Sequence, residues 1–301
     1  MNSAYKTLGL TLSGGGTKGF AHIGFYKTLF DNQIPIHSIA GCSIGALVGA
    51  GIAQGKTPDE IFAIMSSFVE AEHSFFRISN FSFEKGSLLR AGEEIEMVEK
   101  MIPASLTFEE LKIPLIVNAV DIEKGELVIF KSGNVLEAVK ASMSIPGLFP
   151  PIFLEGRLLV DGGVLNSIPI DLCRTMGADV HVAVDLKSFY TEQNIAGLVY
   201  HFYIQKDLEK VDKLEIPKKL LKEAMLKISF PFAILLRSVC IAEEAFRNRI
   251  LTEFKPDLLV HPDVTNFSLL DTEKYLEIFA KGTEAGELAL PRIQELLTKN
   301  T

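Results

Sequence analysis

Three short apolar runs in this chain each end in a glycine cluster, and that repeated ending limits the folds open to it more than any other feature. Leu8–Leu12 runs into Gly14-Gly15-Gly16, residues 34–40 run into Gly41-Cys42-Ser43-Ile44-Gly45, and residues 158–160 run into Asp161-Gly162-Gly163. Runs this short suit strands, and the stretches between them carry apolar residues at helical spacing. Strands alternating with helices predict an α/β chain, a central, mostly parallel sheet flanked by helices. Residues 114–120 are apolar almost throughout, as expected of a strand covered on both faces. Further strands are expected at Val180–Val184 and Leu258–Val260. Helices are expected over 18–30, from the second glycine cluster to about 53, and after Thr57-Pro58-Asp59-Glu60, where a capping threonine, a proline and two acids mark a helix start. Asn134 is placed to cap a short helix over Val135–Ser142, and a last helix runs over 271–297.

The 301 residues are 48% hydrophobic, enough for a full core and too much for a disordered chain. That length predicts one domain over 5–301, with 187–251 as a lysine-rich, helical, lid-like insertion. There Leu220, Leu221, Ala224, Met225 and Ile228 share one helical face, while Lys218, Lys219, Lys222 and Lys227 lie largely elsewhere. Such a helix either packs on the protein or faces a membrane, and the lysines of 206–227 suit anionic headgroups. Phe75, Phe76, Phe81 and Phe83 either fill core or line an acyl channel. Lys and Arg total 30 against 38 Asp and Glu, a net charge of −8 that argues against a nucleic-acid partner. The three cysteines, Cys42, Cys173 and Cys240, have neither disulfide nor zinc spacing. No basic, apolar leader opens the chain, and no apolar run reaches the roughly 20 residues of a spanning helix. The expectation is a cytoplasmic protein, at most peripheral to a membrane, with its oligomeric state, a homodimer included, left open.

Gly41-Cys42-Ser43-Ile44-Gly45 is a G-x-S-x-G set between a strand and a helix. A serine hydroxyl is a poor nucleophile until a tight turn exposes it to a base and to oxyanion donors. Gly41 and Gly45 leave the backbone room for that turn, and the following helix points its positive end at the serine. Ser43 is therefore the candidate nucleophile; the plain alternative is a glycine-lined packing contact. In Ser13-Gly14-Gly15-Gly16-Thr17-Lys18-Gly19, consecutive glycines present bare N–H groups at a helix start, a ready anion site. The segment fits a dinucleotide fingerprint or an oxyanion hole. The first needs a carboxylate about 20 residues on, at the end of the second strand. Ala40-Gly41-Cys42-Ser43 stands there instead. An oxyanion hole of Gly14, Gly15 and Gly16 is the better reading, with Thr17, Lys18 and Gly19 completing the turn. Lys18 either lends positive charge to the site or caps a solvent-exposed helix.

The base is the open question. Of the downstream histidines His73, His181, His201 and His261, only His261, at the end of a late strand, suits a triad. His22 and His37 lie upstream and are expected to pack or bond locally. Asp161 is the better candidate, because it ends an apolar strand and precedes Gly162 and Gly163, where a parallel sheet presents its active site.

In order along the chain, Gly14-Gly15-Gly16-Thr17-Lys18-Gly19, Gly41-Cys42-Ser43-Ile44-Gly45 and Asp161-Gly162-Gly163 resemble the patatin-like phospholipase family. Ala141-Ser142-Met143-Ser144-Ile145-Pro146-Gly147 is similar to that family's segment before the aspartate strand. The resemblance spans about residues 5–185. It implies a Ser–Asp dyad: Ser43 attacks an ester carbonyl, Asp161 takes its proton, and the N–H groups of Gly14, Gly15 and Gly16 hold the oxyanion. An acyl-enzyme intermediate follows, with no metal or cofactor. The implied substrate is a phospholipid or lysophospholipid ester, met in transient contact with a membrane surface. An aspartate with an ordinary pKa near 3.9 is a weak base for a hydroxyl, so burial has to raise it. Two rivals remain at this point: a Ser-His-Asp esterase using His261, and a catalytically quiet lipid-binding or regulatory protein.

Overall fold

The computed structural model describes residues 6–70, 93–186, 218–267 and 272–298. Eight strands form one sheet: β1 Leu8–Leu12, β2 Ile36–Gly41, β3 Leu115–Asp121, β4 Glu126–Phe130, β5 Ile152–Leu154, β6 Arg157–Asp161, β7 Val180–Val184 and β8 Leu258–Val260. Their order is β5-β6-β3-β2-β1-β7-β8, with β4 also paired to β3. The run from β3 through β2, β1 and β7 to β8 is parallel; β3/β4, β3/β6 and β5/β6 are antiparallel. Strands β4 and β5 were not among the expected strands, although 127–130 and 152–154 are apolar; they are short, half-covered partners in hairpins with β3 and β6.

The register on β3 decides where the site lies. Gly41, the last residue of β2, pairs with Val117, and Asp161, the last residue of β6, pairs with Ala119. The opposite edge of β3 is occupied over the same residues by β4, from Val117 to Asp121. Strands β2 and β6 therefore share one edge of β3 and meet head to head. Asp161 does not close a parallel strand, as the sequence reading supposed. Its strand runs the other way, and the two strand ends meet within two residues of β3, about 7 Å at strand rise.

Nine helices are described. They are α1 Phe20–Asp31, α2 Ile44–Ala53, α3 Pro58–Glu70, α4 Glu93–Met101, α5 Val135–Ser142, α6 Gly163–Asn166, α7 Ile170–Arg174, α8 Lys218–Glu253 and α9 Tyr275–Leu297. The expected caps form: Glu60 N–H donates to Thr57 Oγ1 at 3.2 Å, and Glu137 N–H donates to Asn134 Oδ1 at 2.9 Å. Residues on alternate sides of the strands divide the core into two layers. Leu8, Leu10, Leu12, Ile39, Val117, Val182 and Val184 face the large cluster that also holds α1, α2, α3 and α9 residues. On the other side Ala40 and Ile116 meet Leu172 and Cys173 of α7, and Ala183 packs with Ile170 and with Ile250 and Leu251 of α8.

The 36-residue α8 contains the backbone positions 220–228 and the end of the expected insertion. The first part of that insertion (187–217) and the Phe75, Phe76, Phe81 and Phe83 stretch lie outside the described residues. Among the described residues, no helix is long and apolar enough to cross a membrane.

Helices α1 and α9 pack backbone to backbone. A methyl at Gly24 would run into the Phe279 carbonyl and stand 2.7 Å from the Thr283 nitrogen. Gly24→Ala is therefore expected to separate the pair and cost about 3 kcal/mol, an overpacking penalty read from the urea midpoint. A midpoint equal to that of the unsubstituted protein would mean the helices do not approach this closely.

Candidate active site

The second glycine cluster folds as a tight elbow. Ser43 sits at φ 54, ψ −125, a left-handed backbone rare for any residue with a side chain. Strain of this kind costs on the order of 1–3 kcal/mol, so neighbours must over-determine it. They do so here. Ser43 N–H donates to Ser142 Oγ at 2.8 Å, and Cys42 N–H donates to the Leu12 carbonyl at 3.2 Å. Helix α2, which begins at Ile44, is buried at all ten positions and cannot shift cheaply. Gly45 has to be glycine, since any Cβ there would strike the Leu12 and Ser13 carbonyls. The result is a serine held at the sheet's edge of termination with the start of α2 beneath it.

The first glycine cluster lies against this elbow. A Cβ on Gly14 would come 3.5 Å from Ser43 Cβ. Ser13 anchors the loop: its N–H donates to the Val184 carbonyl at 3.1 Å, its Oγ accepts from Leu186 N–H at 3.0 Å, and its carbonyl takes His22 Nε2 at 2.8 Å. Burial holds the His22 pKa down to about 4, so the ring is neutral near pH 7 and donates to Ser13. His22 thus bonds locally, as expected. The Gly14 N–H is not available to a ligand, because it donates to the Ser167 carbonyl at 2.9 Å. That narrows the candidate anion donors to Gly15 and Gly16. Lys18 lies in the 3-10 turn Gly16–Gly19 and is 1% exposed, so it is no solvent-facing cap.

Asp161 joins them from β6. Its N–H donates to the Ser144 carbonyl at 2.9 Å, and its Oδ1 accepts from Gly163 N–H at 2.7 Å. The Cys42 thiol points at the same oxygen from 3.7 Å. Burial pushes the Asp161 pKa up to about 6, against the pull of the Ser43 hydroxyl, the Gly163 N–H and the Cys42 thiol, all of which favour the ionised form. The Cys42 thiol is itself pushed well up, first by burial and then by Asp161 and Glu243. Ser142 and Ser144, both in the segment 141–147 before the aspartate strand, thus hold the amide of Ser43 and the amide of Asp161.

The structure does not bring His261 to Ser43. Its Nδ1 lies 3.4 Å from Asp185 Oδ2, and that carboxylate also accepts from Arg247 of α8 at 2.7 Å. His181 N–H donates to Asp257 Oδ2 at 2.8 Å within the sheet edge; His73 and His201 lie outside the described residues. Sequence reasoning missed Asp185, Glu243 and Arg247, all buried. Their one sequence signal is the i, i+4 spacing of Glu243 and Arg247, which on an ordinary helix reads as a surface pair.

Known proteins resemble this chain in both sequence and fold. The model of the family described as patatin-like phospholipase matches residues 10–174. An uncharacterized NTE family protein of Mycobacterium bovis is 32% identical over 197 residues, 65% of this chain and 33% of that protein. Lysophospholipase NTE1 of Pyricularia oryzae is 32% identical over 184 residues, 61% of this chain and 12% of that protein. A patatin-like phospholipase domain-containing protein of Caenorhabditis elegans is 27% identical over 303 residues, 98% of this chain and 21% of that protein. The chain thus spans a third or less of the length of these relatives. In fold it is similar to the crystal structure of VipD from Legionella pneumophila, with a TM-score of 0.55 at 15% identity, covering 96% of this chain and 67% of that one.

The strained elbow makes a stability prediction that is independent of any activity. Ser43→Gly relieves the positive φ and is expected to raise the unfolding free energy by about 1 kcal/mol, whereas Ser43→Ala keeps the strain and gains little. Equal denaturation midpoints for the two variants would remove the strain argument.

Proposed function

The chain belongs to the patatin-like phospholipase family, and we propose that it hydrolyses acyl esters of phospholipids or lysophospholipids through Ser43 and Asp161. The observation that carries this reading is a buried Asp161 poised near pH 6 beside a serine on a strained elbow. At neutral pH such a carboxylate is ionised yet far more basic than an exposed aspartate. In the proposed first step, Ser43 Oγ attacks the ester carbonyl as its proton passes to Asp161. The oxyanion is met by the N–H groups of Gly15 and Gly16, each such donor typically being worth about 3 kcal/mol. Protonated Asp161 then gives its proton to the leaving alcohol, which departs and leaves an acyl-Ser43. Water, giving a proton to Asp161, attacks the acyl carbon; the bond from that carbon to Ser43 Oγ breaks, Asp161 returns the proton to Oγ, and the fatty acid leaves.

Lipid as the acyl donor is supported by the family and by the relative named as a lysophospholipase. The outward side of α8 supports transient contact with a lipid surface: Leu235 is 61% exposed and Ile241 54%, with Ile234 and Phe246 also exposed. We take 5–301 as one domain, with the described, outward-facing part of α8 nearest such a surface.

A fluorophosphonate probe and a short-chain nitrophenyl ester test the chemistry. Ser43→Ala is expected to abolish labelling, and both Ser43→Ala and Asp161→Asn to lower kcat/KM by roughly a thousandfold or more, with His261→Ala within about threefold of the unsubstituted protein. Because Asp161 must be ionised to act as base, kcat/KM should rise about tenfold per pH unit up to about 6 and level off above it. Activity that survives Asp161→Asn and is lost in His261→Ala would replace the dyad with a triad. No labelling at all would leave a lipid-binding protein without turnover.

A further inference from the structure

We propose that Glu243 is a positioning residue for the Ser43–Asp161 chemistry, acting through Asp161 and making a working site conditional on α8 being docked. This rests on the hydrolytic reading above and extends it to a second carboxyl group. Glu243 is 8% exposed although it belongs to a helix whose neighbouring residues Ala242 and Ala245 face solvent. It faces the chain between Asp161 and Ser167. A Cβ on Gly163 would stand 3.1 Å from Asp161 Oδ1 and 3.8 Å from Glu243 Cδ, so Gly163 is the spacer that separates the two carboxyl groups. At about 7 Å or less, two like charges in a dry interior repel strongly, and both cannot ionise at little cost.

The groups around Glu243 sort the charge. From β6 it meets Asp161, from the end of β7 Asp185, and from its own helix Arg247 and Cys240. Arg247 is committed to Asp185 Oδ2, at 2.7 Å, and His261 Nδ1 lies 3.4 Å from the same oxygen. Ser167 lies close enough to favour the ionised form somewhat, although its hydroxyl makes no hydrogen bond of normal geometry. Burial first, and then the charge of Asp161, push the Glu243 pKa up to about 8. At neutral pH the pair therefore holds one negative charge, on Asp161, where the base is needed. Above pH 8 a second negative charge forms beside Asp161 and facing Asp185. It opposes the oxyanion and the seating of α8 together. The sign is that of a raised acid: the docked form is favoured while Glu243 keeps its proton and is weakened as pH rises through about 8.

The test is the pH profile of kcat/KM on a soluble nitrophenyl ester from pH 5 to 9.5 for the unsubstituted protein, Glu243→Gln and Glu243→Ala, corrected with Ser43→Ala. The unsubstituted protein should lose about tenfold between its plateau and pH 9, one titration near 8. Glu243→Gln, neutral at every pH, should stay within about threefold at pH 7 and lose the alkaline fall while keeping the acid limb near 6. Glu243→Ala should lose tenfold or more at pH 7, with thermal unfolding recorded to show that it is folded. A purely structural residue would not shift the alkaline limb in a Gln variant that folds and works. An unchanged alkaline fall in Glu243→Gln, or a Gln variant as inactive as the Ala variant, overturns the role of Glu243 alone. Absence of Ser43-dependent fluorophosphonate labelling in the unsubstituted protein overturns the hydrolytic reading, and this role with it.

Discussion

One edge of β3 carries the geometry on which the rest of the site depends. Strands β2 and β6 approach along it from opposite directions and stop two residues apart, at Val117 and Ala119. Each brings one chemical group to its end: the Ser43 elbow follows β2, and Asp161 closes β6. A strand is a stiff ruler with a rise of about 3.3 Å per residue, so the separation of the two groups is written in the register rather than in loop conformation. The glycine loop is tied to the same point. Ser13 is fixed to β7 and to Leu186, and Gly14 to Ser167 just beyond α6. Three segments distant in sequence thus converge because the sheet gives them no other end point.

That convergence forces the electrostatics. A group enclosed by strand ends, a buried helix and a glycine loop loses its water, and burial is the largest influence on Asp161, on Cys42 and on Glu243. For Asp161 that loss is partly compensated: the Ser43 hydroxyl, the Gly163 N–H and the Cys42 thiol all favour the ionised form. The balance leaves the carboxylate near 6, between a fully solvated acid and a fully buried one. Strain at Ser43 has the same logic. A buried α2 and the bond to Ser142 hold a backbone that an isolated turn would abandon.

Much of this could be read from residues alone. The six apolar runs became strands within about two residues, because a two-sided core demands continuous apolar sequence. Thr57 and Asn134 capped as their hydroxyl and amide chemistry requires. The Ser43 elbow, the glycine loop and Asp161 were legible from local patterns. What escaped was set by tertiary context. Strands β4 and β5 are apolar at 127–130 and 152–154, but they are short, half-exposed hairpin partners and the sequence reading did not name them. The direction of β6 is invisible locally, since a strand reads the same whichever way its neighbour runs. The hydrogen bond that occupies the Gly14 N–H depends on a Ser167 carbonyl 153 positions away. Glu243 and Arg247 went unnoticed because helical spacing says which residues share a face, not which face turns inward.

Helix α8 makes that last point physical. Where its side chains are described, it turns Cys240, Glu243 and Arg247 inward and Ile234, Leu235, Ile241 and Phe246 outward. An ordinary surface helix is held by apolar burial, which is non-directional and tolerant of small shifts. This one is held near the site by a buried Arg247–Asp185 pair and a buried acid, interactions that are costly when separated and only modestly favourable when made. Farther along, Ile250 and Leu251 return to apolar packing against Ala183 and Leu259. The helix is thus anchored firmly at its C-terminal end and by geometry-dependent polar contacts next to Asp161. Such a joint has a narrow range of seated positions, and an apolar outer face means that meeting a lipid surface would act on the same helix that closes over the carboxyl pair. On the proposed function, the substrate surface and Asp161 would in this way be connected through one element, with Glu243 at the point of contact.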